Sequence, residues 1–217
     1  MRRFDLGALF AGLSAPVERS DERDAAIDAM LPNVPFDGWT KRALRAGGIA
    51  PEDVDFLFPR GTTEMIEVFC DLADRRMAAA ADLSPEMRVS ERVRTLVALR
   101  LEHNRVNKEA IRRALAVLAL PRNARAAAST TARTVDAIWR AAGDQSEAPS
   151  RYTKRAILAA VYSATLLFWL RDVSDGDAET LAFLDRRLAG VGRITRMRAG
   201  VEGWLGSLPL PRLLRAG

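Results

Sequence analysis

The stretch TKRALRAGGIAPEDVDFLF, residues 40 to 58, determines the fold of the amino-terminal part of the chain. Thr40 can accept a hydrogen bond from a free backbone N–H in the first turn of a helix, and Gly47 and Gly48 end that helix. Pro51 suits the start of the next helix, because its missing N–H needs no partner there. The sequence therefore predicts two short helices joined by a tight turn, the arrangement of a helix-turn-helix.

Further helices are predicted on both sides of this stretch, and no segment shows the alternating pattern of a strand. Upstream, Ser20 is a helix N-cap followed by acidic residues, and that helix ends at Pro32, before a turn PNVPFDG. Downstream, apolar spacing and helix-ending residues predict helices over 62–81, 87–103, 108–120, 125–142, 150–171 and 177–191. We therefore predict an all-α bundle of about nine or ten helices.

The segment AILAAVYSATLLFWL, residues 156 to 170, contains no formal charge. A helix that spans a bilayer needs roughly 20 apolar residues, and charged residues bracket this shorter segment closely. A helix that is apolar all round instead belongs in the middle of a soluble bundle. We expect this helix to lie at the centre of the fold.

Positive charge is concentrated at the carboxyl end of the chain. Residues 186 to 217 contain seven arginines and one acidic residue, a balance of +6, whereas the whole chain carries +5. Apolar residues recur there at spacings of three and four, which predicts a basic amphipathic helix over 193–217 that binds an anionic membrane surface. A tail that packs in a dimer or is disordered is the alternative. The predicted membrane-binding residues are Arg193, Arg196, Met197, Arg198, Val201, Trp204, Leu205 and Leu208.

Few catalytic or metal-binding chemistries are open to this sequence. His103 is the single histidine and Cys70 the single cysteine, so no two-histidine metal site and no disulfide can form within one chain. His103 is interpreted as an ordinary surface or helix-end residue. No phosphate-binding loop or dinucleotide motif is present. We predict no cofactor, no metal and no enzymatic activity, although paired carboxylates remain possible.

The helix-turn-helix resembles the arrangement of the TetR family of repressors, but its second helix is acidic. That helix carries Glu52, Asp53 and Asp55 and no basic residue, and residues 1–60 contain eight basic against ten acidic residues. Because contacts between cations and phosphates supply most non-specific affinity for DNA, we predict no nucleic-acid partner. A diverged TetR-type transcription regulator with an apolar ligand is the alternative hypothesis.

Five blocks in the second half of the chain resemble the ubiquinone (coenzyme Q) biosynthesis accessory family, the ninth protein of the Coq series. They are MRVSERVRTLVALRLE, RRALAVLALPRNARAA, VDAIWRAAGDQS, YTKRAILAAVYSATLLFWL and TLAFLDRRLAGV, between residues 86 and 190. The resemblance implies a TetR-like fold without DNA binding, a homodimer, a cavity for isoprenoid lipid or quinone intermediates, and a membrane-binding carboxyl-terminal helix. It also implies a partner, the di-iron demethoxyubiquinone hydroxylase.

Under this resemblance the chain divides into four parts. We expect a flexible amino terminus over 1–19, a three-helix unit over 20–60, a lipid-binding domain over 61–192 and the membrane-binding tail. Asp5 and the acidic residues after it disfavour a cleaved targeting sequence. The expected location is the cytoplasmic side of the inner membrane in a bacterium, or the matrix side in a mitochondrion.

The resemblance also suggests candidate site residues. The lipid is expected to contact Trp139, Ile157, Val161, Ala164 and Phe168, which could otherwise simply pack the core. The patch that contacts the hydroxylase is expected at Asp144, Tyr152, Lys154 and Arg155; alternatively, Asp144 only ends a helix, and Lys154 and Arg155 form a solvated first turn. Arg151 and Leu181 stand where aromatic residues are common in relatives, which puts the exact contact in doubt.

Overall fold

The structure is a computed structural model, and it describes residues 16–144 and 150–190. These residues form ten α-helices joined by short turns, and no strand occurs within the described ranges, which confirms the predicted all-α class. The helices are α1 Asp21–Met30, α2 Val34–Asp37, α3 Lys41–Ala46, α4 Pro51–Leu57, α5 Thr62–Ala80, α6 Val89–His103, α7 Lys108–Leu118, α8 Ala124–Ala141, α9 Ser150–Trp169 and α10 over 178–190.

The predicted caps set the helix boundaries in the amino-terminal unit. The Ser20 hydroxyl accepts a hydrogen bond from the backbone N–H of Arg23 at 3.1 Å, which starts α1. The Thr40 hydroxyl accepts one from Ala43 at 3.4 Å and starts α3 in the same way. Pro51 is the first residue of α4, as predicted.

The predicted turn over PNVPFDG is wrong. Residues Leu31–Asn33 form a single 3-10 turn, and Val34–Asp37 form the one-turn helix α2. Both prolines lie in the first turn of their element, where a missing N–H breaks no hydrogen bond. Proline therefore starts these short helices instead of preventing them.

The most enclosed helix is α5, not the apolar helix α9. Eleven of the 19 residues of α5 are buried, including the carboxylates Glu64, Asp71 and Asp74. In contrast, α9 exposes Ala156, Ala160 and other positions along one side, so the prediction that it lies at the centre is wrong. The structure describes no helix that is both long and apolar enough to cross a membrane.

Arginines from other segments allow an acidic helix to occupy this central place. The carboxylates of α5 pair with them as Arg23 with Glu64, Arg19 with Asp71, and Arg100 with Asp74. A buried carboxylate without a partner is strongly unfavourable, whereas a paired and hydrogen-bonded one is tolerated. These pairings depend on residues far apart in sequence and cannot be inferred from helical periodicity.

Buried polar contacts attach the amino-terminal unit and the start of α10 to the rest of the bundle. Trp39 is buried, and its indole N–H donates to the carbonyl of Ala110 at 2.9 Å, which attaches the amino-terminal unit to α7. At the other end, the Asp172 carboxylate accepts hydrogen bonds from the backbone N–H and the hydroxyl of Thr180, which holds the start of α10. These hydrogen bonds lower the pKa of Asp172, although burial acts in the opposite direction.

Replacing Gly47 with alanine is expected to destabilise the amino-terminal unit. A Cβ atom at Gly47 would lie 2.5 Å from the carbonyl oxygen of Ala29, and neither backbone can move without shifting a helix. The φ angle of Gly47 is −80°, so alanine fits the backbone conformation and the cost comes from the collision alone. We expect a loss of about 1–3 kcal/mol in the free energy of unfolding, measured by urea denaturation.

Gly190→Ala is the matched control for this prediction. A Cβ atom there meets nothing within 4 Å, and the residue is helical. Alanine at that position is expected to be neutral or stabilising by up to about 1 kcal/mol. Equal stabilities of the two variants would contradict the close approach at Gly47.

Candidate functional site

A cavity of about 300 Å³ lies between α5, α7, α8 and α9, with one contribution from α6. Its walls are almost entirely apolar, and the polar groups of Arg100 and Tyr162 are the main exceptions. The lining residues are Ile66, Phe69, Cys70, Arg100, Ile111, Ala114, Leu115, Leu118, Ala119, Ala127, Thr130, Thr131, Thr134, Tyr162, Leu166 and Leu167.

Small side chains on α8 create the space. Ala127, Thr130, Thr131 and Thr134 recur at spacings of three and four, so they lie on one face of the helix. The hydroxyl of Thr130 donates to the carbonyls of Ala126 and Ala127, and that of Thr131 also donates to Ala127. With these hydroxyls bonded to their own helix, the two threonines contribute largely apolar surface to the wall.

The cavity has an outer and an inner end. Leu167 lines it and is 59% exposed, so the cavity reaches the surface near this residue, on the side of α7 and α9. Tyr162 lies five residues earlier on α9, a rise of roughly 7 Å along the helix axis, and is only 5% exposed. Arg100, 4% exposed, is also at the inner end.

A hydrogen-bonded network holds the polar groups of the inner end in place. Arg100 donates from Nε to Asp74 at 2.6 Å and from Nη1 to the Tyr162 hydroxyl oxygen, also at 2.6 Å. The Thr134 hydroxyl donates to the second oxygen of Asp74 at 2.9 Å. The guanidinium group is thereby fixed between α5, α8 and α9, since it cannot rotate without breaking these bonds.

The titration behaviour of this end follows from its burial. Burial raises the pKa of Tyr162, although the nearby Arg100 cation acts in the opposite direction. Burial also raises the pKa of Cys70 to about 11. For Arg100, burial alone would lower the pKa, but attraction from Tyr162 and Asp74 outweighs burial and raises it. At neutral pH the phenol and the thiol are therefore protonated and uncharged, while Arg100 is charged.

The arrangement is suited to binding rather than to chemistry. Cys70 carries the only thiol in the cavity wall. Because burial raises its pKa, little of this thiol is present as the reactive thiolate at neutral pH. His103, as predicted, is exposed at the end of α6. In the segments 16–144 and 150–190, no group of three or more His, Cys, Asp or Glu residues could hold a metal ion.

The second helix of the helix-turn-helix presents carboxylates to solvent. Glu52, Asp53 and Asp55 of α4 are all exposed, and Asp55 forms an ion pair with Lys41. Only Val54 of this helix is buried. The surface that would enter a DNA groove therefore repels phosphate.

Sequence and structure comparisons with known proteins identify a family match, several sequence relatives and a solved structure of similar fold. A sequence profile of the COQ9 family matches residues 124–195. The mitochondrial ubiquinone biosynthesis protein coq9 of Schizosaccharomyces pombe is 31% identical over 192 residues, which cover 85% of this chain and 76% of that protein. The chain belongs to the COQ9 family.

Animal members of the COQ9 family are similar to a comparable degree. The human mitochondrial COQ9 is 30% identical over 75% of this chain, and the Drosophila melanogaster protein is 30% identical over 83% of it. The chain spans only 55% and 58% of the length of these two relatives. A solved TetR transcriptional regulator from Nitrosomonas europaea superposes with a TM-score of 0.63 at 24% identity, over 78% of this chain and 97% of that one. This similarity confirms the predicted TetR-like fold.

The five lipid-contact residues predicted for this COQ9-family chain lie outside the cavity lining. Ile157, Val161, Ala164 and Phe168 form a different stripe of α9, and Phe168 stacks on Phe183 of α10 with ring centroids 4.7 Å apart. Trp139 lies near the end of α8 beneath the Lys154 ammonium group, which is 5.8 Å from its ring centroid. Their contact with lipid stays a prediction.

Helix α9 lines the cavity with a face other than the predicted lipid-contact stripe. That face contributes Tyr162, Leu166 and Leu167, of which Tyr162 carries the polar group. A usable signal was present on α8, where the run of small residues from Ala127 to Thr134 leaves one helix face without bulk.

The residues predicted to contact a partner are held together where α8 ends and α9 begins. The Asp144 N–H donates to the carbonyl of Trp139, which closes α8, and its carboxylate pairs with Lys154 at 3.1 Å. Arg155 is buried and pairs with Asp136, so the alternative of a solvated first turn is wrong for Arg155. Tyr152 lies half-buried on the same turn. Partner contact by these residues stays a prediction.

The predicted membrane-binding residues of the COQ9-family tail, between Arg193 and Leu208, lie outside the described residues. The division into four parts likewise stays a prediction.

Proposed function

We propose that this COQ9-family protein is a non-catalytic lipid-binding accessory protein of ubiquinone biosynthesis. It binds isoprenoid quinone intermediates at the membrane and delivers them to a demethoxyubiquinone hydroxylase. The apolar cavity between α5, α7, α8 and α9 carries this proposal, together with the scarcity of reactive groups in its wall. The names of the relatives support the pathway, since they are ubiquinone biosynthesis proteins.

The cavity has a size and a surface suited to part of a prenyl chain. Its volume of about 300 Å³ is at the lower end of the roughly 300–1,000 Å³ that ligand pockets occupy. Each carbon transferred from water gains about 0.8 kcal/mol, so ten carbons would supply about 8 kcal/mol before the entropic costs of binding. A cavity of this kind can therefore hold an isoprenoid mainly by its shape.

The partner, the membrane contact and the location belong to the same proposal. Lys154, 44% exposed and held by the buried Asp144 carboxylate, and the half-buried Tyr152 are proposed to contact the hydroxylase at the junction of α8 and α9. The basic tail over 193–217 is proposed to attach the protein to anionic membrane, and the protein to act as a homodimer. The names of the relatives describe those proteins as mitochondrial, which supports the matrix side in a eukaryote.

The single cysteine of the chain provides a direct test of lipid binding. Cys70 lines the cavity, so a prenylated quinone bound there should shield the thiol from N-ethylmaleimide. At mildly alkaline pH, we expect the rate of alkylation to fall about tenfold once roughly nine-tenths of the protein holds ligand. Mass spectrometry of lipid extracted from the purified protein should show prenylated quinone species.

The control is the same reaction in denaturant, where the ligand should leave the rate unchanged. An unchanged rate in the folded protein at saturating quinone would contradict binding in this cavity. Extraction of no prenylated species, combined with that result, would remove the proposed function altogether.

A further inference from the structure

The Tyr162 hydroxyl has an unused hydrogen-bond donor at the wall of the cavity. Its oxygen accepts a hydrogen bond from Arg100 Nη1 at 2.6 Å, but the hydroxyl donates no hydrogen bond to any residue that the structure describes. The side chain is 95% buried, given its 5% exposure. A buried donor without an acceptor is unfavourable, so this hydroxyl is placed to donate to a ligand that enters the cavity.

The network around Tyr162 makes this hydroxyl a strong and permanent donor. The charged Arg100 guanidinium polarises the phenol, and Asp74 and Thr134 hold the guanidinium in place. Because burial raises the pKa of Tyr162, the hydroxyl keeps its proton at neutral and mildly alkaline pH. The other polar groups of the lining are the thiol of Cys70, a weak donor, and the hydroxyls of three threonines. Those of Thr130 and Thr131 donate to carbonyls of their own helix, and that of Thr134 donates to Asp74.

We propose that Tyr162, positioned by Arg100, selects ligands that carry a hydrogen-bond acceptor oxygen, such as a ring or chain carbonyl, and binds them with that oxygen at the inner end of the cavity. This inference rests on the proposed lipid-binding function and specifies its ligand class. A purely hydrocarbon isoprenoid would leave the Tyr162 donor unsatisfied and would lose this interaction.

The location of Tyr162 also fixes the direction in which the ligand enters. The carbonyl end lies at the inner end, and the apolar chain leaves past the exposed Leu167. The oxygenated head group is thereby shielded from water while the ligand is bound. Delivery to a second protein then requires release of the head group from Tyr162, not display of an already exposed head group.

A pair of matched ligands tests the inference. We would measure binding of geranylacetone, a prenyl ketone, and of the hydrocarbon in which a methylidene group replaces its carbonyl oxygen, by equilibrium dialysis against the full chain. Tyr162→Phe should weaken binding of the ketone about tenfold and leave binding of the hydrocarbon within about twofold, since only the ketone uses the hydroxyl. A merely structural role would weaken both ligands equally.

Thr165→Val is the control, because it removes another buried hydroxyl of the same helix, one that donates to the Val161 carbonyl and lies outside the cavity lining. It should leave both affinities unchanged, and thermal unfolding of each variant verifies that it is folded. If Tyr162→Phe changes neither ligand or both alike, the ligand selection is refuted while lipid binding stands. If the unaltered protein binds neither ligand, lipid binding in the cavity fails as well.

Discussion

Replacing Arg100 with methionine is expected to lower the free energy of unfolding by about 3–5 kcal/mol, because it leaves the buried carboxylate of Asp74 without its cation. Both side chains are almost fully buried, and Arg100 also donates to Tyr162. Methionine retains much of the side-chain bulk, so the loss comes mainly from the missing charge and hydrogen bonds. The measurement is urea denaturation followed by circular dichroism.

Arg76→Met is the matched control for Arg100→Met. Arg76 pairs with Asp28 at 2.6 Å, but the two side chains are 51% and 44% exposed. Solvent screens an exposed pair, so its loss is expected to cost less than about 1 kcal/mol. Similar losses in the two variants would contradict a buried, structurally essential ion pair at Arg100.

The stability of the Arg100→Met variant should also depend on pH in a specific direction. Burial already raises the pKa of Asp74 in the folded protein, and removal of the cation raises it further. The folded state then binds a proton more tightly than the unfolded state, whose aspartate has a pKa of about 3.9. The contribution of Asp74 to the stability of the variant is therefore greatest below that pKa and is lost as the pH rises through the folded-state pKa. The difference in the free energy of unfolding between this variant and the unaltered protein should become smaller towards low pH.

Ala114→Phe is expected to reduce lipid binding about tenfold or more. Ala114 lies on α7, is buried, and lines the cavity, so a phenyl ring there would occupy space that the prenyl chain needs. A cavity at the lower end of the ligand-pocket range has no spare volume for both. The change is measured as prenylated lipid extracted per protein and as the loss of ligand protection at Cys70.

The control for this variant is Ala116→Phe, on the same helix but exposed and outside the cavity lining. The Ala116→Phe variant should contain as much prenylated lipid as the unaltered protein. Full lipid occupancy in Ala114→Phe would show that the ligand binds elsewhere. The phenyl ring of Ala114→Phe should change the free energy of unfolding by less than about 3 kcal/mol, since it enters an existing space.

The largest differences between prediction and structure concern α9 and the cavity. Its fifteen uncharged residues predicted a central position, but α5 occupies the centre because its acids meet arginines from other segments. The predicted lipid-contact stripe of α9, with Val161 and Phe168, likewise differs from the face with Tyr162 that lines the cavity. Hydrophobic content indicates that a helix is buried but not which neighbours cover each face.

The sequence by itself determined the helices, their caps and the acidic surface of α4. Ser20, Thr40 and Pro51 act on backbone groups within a few residues, and Glu52 and its neighbours remain acidic in any fold, so these features need no tertiary information. The tertiary structure alone decided where space is left and which polar groups reach it. The cavity exists because small residues of α8 face larger side chains on three other helices, and the Tyr162 donor stands there because Arg100 and Asp74, 26 residues apart, meet beside it. Contacts between residues so far apart in sequence depend on how the helices pack, and a local sequence pattern does not predict that packing.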